Sequence, residues 1–220
     1  MMLTTKRLFD EHPYEYEFTA KIIFIGDEYI VLDQTLFYPL SGNQDHDTGF
    51  IEGREVTAVN VDSTEEGKLD FSAPIKHFLK VDGLTVGQNV SGKIDWVRRL
   101  NTMRLHTASH LVEYFLSRYP DFLSTEGSFV NSIKDRTDYM LANNLDSRSL
   151  GVLEQEVNDF IKQAHPITFE FQDEVRIWCC AGIRMACCGT HVNNTEEVGQ
   201  LKLSRKNKGK GLNRIEIQLI

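Results

Sequence analysis

His106-Thr107-Ala108-Ser109-His110 is the stretch from which the rest of this 220-residue chain is read. Leu105, Ala108, Val112, Phe115 and Leu116 recur around it at helical spacing, so the segment is expected to be a helix with that stripe turned inward. Residues four apart on a helix share a face, which sets His106 and His110 one turn apart. By the same geometry the two imidazoles project about a quarter-turn away from the stripe, at the edge of a core and not at its centre. Such a pair can supply half of a tetrahedral metal site. Taken alone, it also fits two solvated or hydrogen-bonded histidines.

Working outward, Asp95 is the expected N-cap of this helix and Tyr119-Pro120 its close. Upstream, Tyr14, Tyr16 and Phe18 alternate with Glu15 and Glu17, and Ile22–Ile25 continues as an apolar run. Gly26-Asp27 marks a turn before Tyr29–Leu32. Residues 33–49 are rich in Pro, Gly and small polar residues, the composition of a structured loop. Glu55–Val61 reads as a strand, Ser63–Lys68 as a polar turn, and Val81–Ile94 as strand, turn, strand. Residues 1–94 are therefore expected to form a small β-barrel-like domain.

Downstream, Ser128–Val130 and Tyr139–Leu141 are strand-like. Asp146 or Ser147 caps a second helix with Leu153, Val157, Phe160 and Ile161 as its stripe, ending at His165-Pro166. Phe169, Phe171 and Val175–Trp178 are strand-like, and Gln200–Ser204 pairs with Arg214–Leu219 around a basic loop. Residues 95–220 are expected to be an α+β domain, its helices packed on an antiparallel sheet. The fold class of the whole chain is α+β.

Hydrophobic residues make up 41% of the chain and charged residues 25%, ordinary for a globular protein. No apolar run is long enough to span a bilayer, and the first residues lack the apolar core of a signal peptide. A cytoplasmic protein with no membrane association is expected. The net charge of −8 argues mildly against a nucleic-acid partner, yet residues 202–214 hold Lys202, Arg205, Lys206, Lys208, Lys210 and Arg214 without one acid. That stretch is either a solvated hairpin loop or a loop that tracks phosphates.

All four cysteines fall between positions 179 and 188, which is not the pattern of a secreted disulfide framework and favours metal binding. Cys187-x-x-x-His191 repeats the spacing of the histidine pair. His106, His110, Cys187 and His191 together make an N₃S donor set that suits Zn²⁺. Four protein ligands ordinarily mark a structural site, whereas a catalytic one keeps a position open, and both roles remain open here. If 177–180 is a strand, Cys179 and Cys180 point to opposite faces, so a four-cysteine site is the weaker alternative.

These residues resemble the zinc-binding editing domain of alanyl-tRNA synthetases and of the freestanding AlaX-type proteins. The resemblance runs through Thr35-x-Phe-Tyr-Pro39, Gln44, Asp47-x-Gly49, Asp95-Trp-x-x-Arg99, His106-x-x-x-His110, Cys187-x-Gly-Thr-His191-Val, Glu197-Val-Gly199 and Gly209-x-Gly211-x-x-Arg214-Ile-Glu216. It covers nearly the whole chain and is similar to the medium-length freestanding form. It departs from the family at Ser41-Gly42-Asn43, where a run of glycines is usual, and at Cys188. The resemblance implies hydrolysis, in trans, of alanine tRNA mischarged with serine or glycine. A pocket built for alanine excludes neither by enough binding energy, so a second, hydrolytic site is required. It further implies one Zn²⁺ per chain on His106, His110, Cys187 and His191, with Thr35 and Gln44 sensing the serine side chain or orienting the ester.

Charge adds Arg98, Arg99, Arg205, Lys206, Lys208, Lys210 and Arg214 as candidates for the acceptor-stem backbone. No obligate protein partner is evident. A zinc-stabilised tRNA-binding module without turnover is the competing reading, and a metal-free structural protein a third. Alanyl-tRNA synthesis itself is rejected, since the chain shows no ATP-binding motif and is too short for a synthetase core.

Overall fold

Strand alternation builds the first part of the molecule. The computed structural model describes residues 3–61, 73–173 and 175–220, and the turn expected at Ser63–Lys68 lies outside them. The chain separates into two units, residues 1–99 and 100–220. The first runs β1 (Lys6–Arg7), α1 (Leu8–Glu11), β2 (Glu17–Ile25), β3 (Tyr29–Leu32), β4 (Gln34–Thr35), β5 (Gly49–Ile51), β6 (Arg54–Val56), β7 (Ala58–Val61), β8 (Ile75–Phe78) and β9 (Asn89–Ile94). Seven of these strands form one antiparallel sheet in the order β6-β5-β9-β2-β3-β8-β7, while β1 pairs in parallel with β4.

Phe18, Ala20 and Ile22 of β2 and Val90 and Ile94 of β9 point the same way, into a core completed by Ile30, Leu32, Leu36, Phe37 and Ile51. Gly92 leaves room for the ring of its cross-strand partner Phe18: a Cβ there would stand 2.3 Å from that ring.

The expected small barrel is not found as a closed ring. Among the described residues the sheet ends at β6 and β7. Both edges come from the segment expected as one strand, Glu55–Val61. Thr57 breaks it, giving its N–H to the carbonyl of Phe78 at 2.9 Å, so the chain turns from one end of the sheet to the other. Val81–Gln88 holds turns and no strand, and the strand before it, Ile75–Phe78, escaped the sequence pattern because Lys76 and His77 leave it neither an apolar run nor a clear alternation.

Helix α2 (Trp96–Ser117) follows, with Asp95 accepting the N–H of Arg98 at 3.0 Å as its N-cap. Then come β10 (Phe122–Val130), β11 (Asp135–Leu141), α3 (Ser147–Ile161), β12 (Ile167–Gln172), β13 (Val175–Cys180), β14 (Ile183–Ala186), a 3-10 turn (Thr195–Val198), β15 (Leu201–Gly209) and β16 (Leu212–Leu219). Asp146 caps α3 by accepting the N–H of Ser149. Two antiparallel sheets result, β10-β11-β16-β15 and β12-β13-β14.

Helix α3 lies against β15. Its buried Asn158 both donates to the carbonyl of Leu201 and accepts that residue's N–H, each at 3.0 Å. No helix among the described residues is long and apolar enough to cross a membrane. The chain is α+β.

Candidate metal centre

Four side chains from two stretches of the second unit converge. His106 and His110 stand on α2, and Cys187 and His191 on the loop that leaves β14. Their donor atoms all lie within 4.8 Å of one another. Cys187 Sγ is 3.5 Å from His106 Nε2 and 3.2 Å from His191 Nε2. In a tetrahedron with bonds of 2.0–2.3 Å the donors stand roughly 3.3–3.8 Å apart. The two sulfur–nitrogen distances lie close to that range, and the four donors can close on a tetrahedral ion with a small adjustment.

The edge-of-core placement expected for the two histidines is corrected by the structure. His106 and His110 are buried, like Leu105, Ala108 and Val112 on the apolar stripe. The opposite side of the helix is covered too. The Trp178 ring of β13 packs edge-on to His110 with centroids 4.9 Å apart, and His191 stacks at 4.2 Å from His106.

Burial decides the protonation of the set. Desolvation holds His106 and His191 well below the usual imidazole range, assisted by the neighbouring imidazoles and by Arg176. Desolvation alone brings His110 down to about 4. Three neutral imidazoles are what a metal ion requires. The Cys187 thiol is pushed up to about 12 by burial, with the Gly189 N–H and Arg176 acting against it, so an ion must displace its proton to bind the thiolate.

Two residues that the sequence reading passed over hold the ligands in place. Thr107 Oγ1 lies 3.1 Å from His191 Nδ1. Arg176, buried on β13, donates to the carbonyl of Gly189 at 2.7 Å, and its guanidinium lies 3.6 Å from the centroid of Phe169. Thr107 was visible inside the opening motif. Arg176 carried no local signal, because its partner is thirteen residues away across a β-turn-β unit.

Thr35 and Gln44 belong to the first unit, and both are fully buried. Thr35 Oγ1 accepts the N–H of Phe37 at 3.0 Å and is 2.8 Å from Nε2 of the buried His77. Gln44 closes a tight turn with Ser41, whose central residues Gly42 and Asn43 have φ of 55° and 64°. Asn43 thus adopts the left-handed conformation that the missing glycine would have supplied.

The basic candidates divide. Arg99 is withdrawn as an RNA contact: it is fully buried, forms an ion pair with Asp47, and donates to the carbonyl of Leu36 at 2.5 Å. Arg98 pairs with Asp45 at 2.6 Å and stays half-buried. In the second unit, Arg214 makes a two-pronged pair with Asp138, both bonds 2.7 Å, and Lys206 pairs with Glu216. Arg205 turns the other way, to Asn213 at 2.8 Å. Lys208 and Lys210 are exposed near the end of the β15–β16 hairpin.

Two family models match the chain: tRNA synthetases class II (A) over residues 6–98, and the threonyl and alanyl tRNA synthetase second additional domain over residues 179–216. The alanyl-tRNA editing protein AlaX-M of Pyrococcus horikoshii is 34% identical over the full length of both chains. That of Saccharolobus solfataricus is 31% identical over 96% of this chain and 97% of its own.

The chain belongs to the AlaX-M family of alanyl-tRNA editing proteins. It is also 33% identical, over 90% of its length, to 24% of the alanine–tRNA ligase of Ignicoccus hospitalis, so AlaX-M proteins correspond to a part of that larger enzyme. The two matched segments include Thr35, Gln44, Cys187 and His191, whereas His106 and His110 fall between them. The helical half of the donor set thus lies outside both family models, though within the span matched by the AlaX-M relatives.

Proposed function

We propose that this chain is a trans-editing hydrolase that cleaves the aminoacyl ester of alanine tRNA mischarged with serine and, secondarily, glycine. The observation that carries the reading is the convergence of His106, His110, Cys187 and His191 in a chain that matches AlaX-M proteins along its whole length. Three imidazoles and one thiolate favour a single Zn²⁺ over harder cations. When bound, the ion supplies Lewis acidity and a positive charge that can anchor a substrate group.

Thr35 and Gln44 are assigned to orienting the ester and sensing the serine hydroxyl. Both are buried, so contact with substrate requires the loop between them to yield. Lys206, Lys208, Lys210 and Arg214, together with Arg98, are assigned to the tRNA backbone, while Arg205, turned to Asn213 on the other face of its strand, is left out of that contact. A tRNA substrate implies action in the cytoplasm.

The filled donor set also supports a zinc-stabilised tRNA-binding module without turnover. Single-turnover deacylation separates the two. Ser-tRNA and Gly-tRNA, each charged on alanine tRNA, are followed beside Ala-tRNA with zinc-loaded wild type, His106→Ala and Gln44→Ala. Rapid loss of serine with alanine spared, abolished in His106→Ala and slowed in a folded Gln44→Ala, supports the enzyme. A folded, zinc-loaded protein that binds tRNA and gives no acceleration over buffer supports the binding module.

A further inference from the structure

Strand alternation sorts the basic residues of the second unit onto opposite faces of one sheet. On β11, Asp135, Thr137 and Tyr139 are buried, so Arg136 and Asp138 point outward. The cross-strand partners of Arg136 and Asp138 on β16 are Glu216 and Arg214, and the partners of those on β15 are Ser204 and Lys206. The outward row is confirmed by contacts. Arg214 grips Asp138, and Glu216 is shared by Lys206 at 3.0 Å and by Lys134 at 3.3 Å. Asp138 is held below the usual carboxylate range by its bond to Arg214, with Lys208 and Arg136 contributing further positive charge. Arg205, by contrast, faces Asn213 on the buried side.

The outward face therefore carries Lys134, Arg136, Lys206, Lys208 and Arg214 around two carboxylates. Arg214 and Asp138 cancel, and one of the two lysines on Glu216 is cancelled. The surplus lies on the other lysine, on Lys208 and on Arg136, which is exposed beside the Phe129 ring. A small recess lined by Gly127, Ser128, Arg136, Asp138 and Arg214 opens on this face. In a chain of net charge −8, a local cationic face of this kind draws in a polyanion.

We propose that the outer face of the β10-β11-β16-β15 sheet, centred on Arg136 and extended by Lys134, is the surface on which the RNA phosphate backbone docks. The hairpin end is then one margin of the contact and not its whole extent. The phosphates meet the surplus cations, while Asp138 and Glu216 hold neighbouring side chains upright. A single arginine beside a recess and an aromatic ring suits a backbone phosphate flanked by a ribose. The proposal rests on the editing reading only for the identity of the RNA.

The test is the salt dependence of binding to uncharged alanine tRNA. Wild type is compared with Arg136→Ala, Lys134→Ala, the charge-keeping Arg136→Lys, and Lys93→Ala in the first unit as a charge-loss control. Folding is checked by circular dichroism. Each loss of a contacting cation should flatten the plot of log affinity against log salt by about one and weaken binding several-fold near 0.1 M salt. Arg136→Lys should keep the wild-type slope, and Lys93→Ala should leave it unchanged.

Slopes unaltered in folded Arg136→Ala and Lys134→Ala overturn the proposal. So does retention on phosphatidylserine vesicles at a salt concentration at which tRNA is not bound. Deacylation of Ser-tRNA by wild type is read separately. Its absence, with the slope changes present, removes the editing reading and supports the surface.

Discussion

Thr107 Oγ1 stands 3.1 Å from Nδ1 of His191, eighty-four residues away in the chain. A hydroxyl has two lone pairs: Thr107 accepts the N–H of Val192 at 3.4 Å on one, and the other can accept from Nδ1 when His191 binds an ion through Nε2. With the proton on Nδ1, the lone pair of Nε2 faces Cys187 Sγ and the middle of the donor set. Thr107→Val keeps the shape and removes the oxygen. Metal affinity should fall by about 10- to 100-fold, read by competition with a chromogenic chelator, while the secondary structure is retained.

Arg176 secures the other end of the same loop through Gly189. Arg176→Met removes a buried charge-assisted hydrogen bond and leaves a carbonyl unpaired, a loss of roughly 2–3 kcal/mol. Thermal unfolding should therefore occur at a lower temperature. The metal-loaded protein should lose more than the chelator-treated protein if the loop is ordered chiefly to hold an ion.

The Asp47–Arg99 pair makes a prediction of opposite character to the one its sequence position suggested. Both groups are buried, so Asp47→Ala strands a guanidinium in the core of the first unit, at a cost of about 3–5 kcal/mol. Urea denaturation should show that loss. Arg99→Lys, which cannot reproduce the paired geometry, should destabilise the protein while the salt slope for RNA stays at the wild-type value.

Asp135 gives the fold a pH dependence. Burial raises its carboxyl to about 7, against hydrogen bonds from Thr137 and Ser109, and the nearby Glu113 raises it further. The folded state thus holds this proton more tightly than the unfolded chain does. The stabilising contribution is complete below about pH 4 and is lost as pH rises towards 7. Asp135→Asn imitates the protonated form. Its stability advantage over wild type should be absent at pH 4 and grow to something on the order of 1–4 kcal/mol at pH 8, read from urea midpoints across that range.

Local pattern carried a large share of the fold. The stripes of α2 and α3, the Asp95 and Asp146 caps and the paired strands around the basic hairpin follow from spacing that a short window reveals. Short elements did not show themselves. Ile75–Phe78 and Ile183–Ala186 are four residues each; the first takes its strand character from partners on both sides and the second, at a sheet edge, from β13 alone. The corner at Thr57 is similarly a property of the sheet, since nothing in Glu55–Val61 says where a strand must change partners.

The candidate site divides along the same line. Residue type and spacing alone named His106, His110, Cys187 and His191, because a helical turn and a short loop each fix half of the donor set. That the two halves meet was decided by tertiary structure, as were the burial that keeps the imidazoles neutral and the grip of Thr107 and Arg176. Charge was the least legible feature. A run of lysines and arginines reads as one patch in sequence, but burial consumed Arg99 and strand alternation sent Arg205 and Lys206 to opposite faces. Sequence determines which groups are present and their local period. Which of them remain exposed depends on what packs against them from far along the chain.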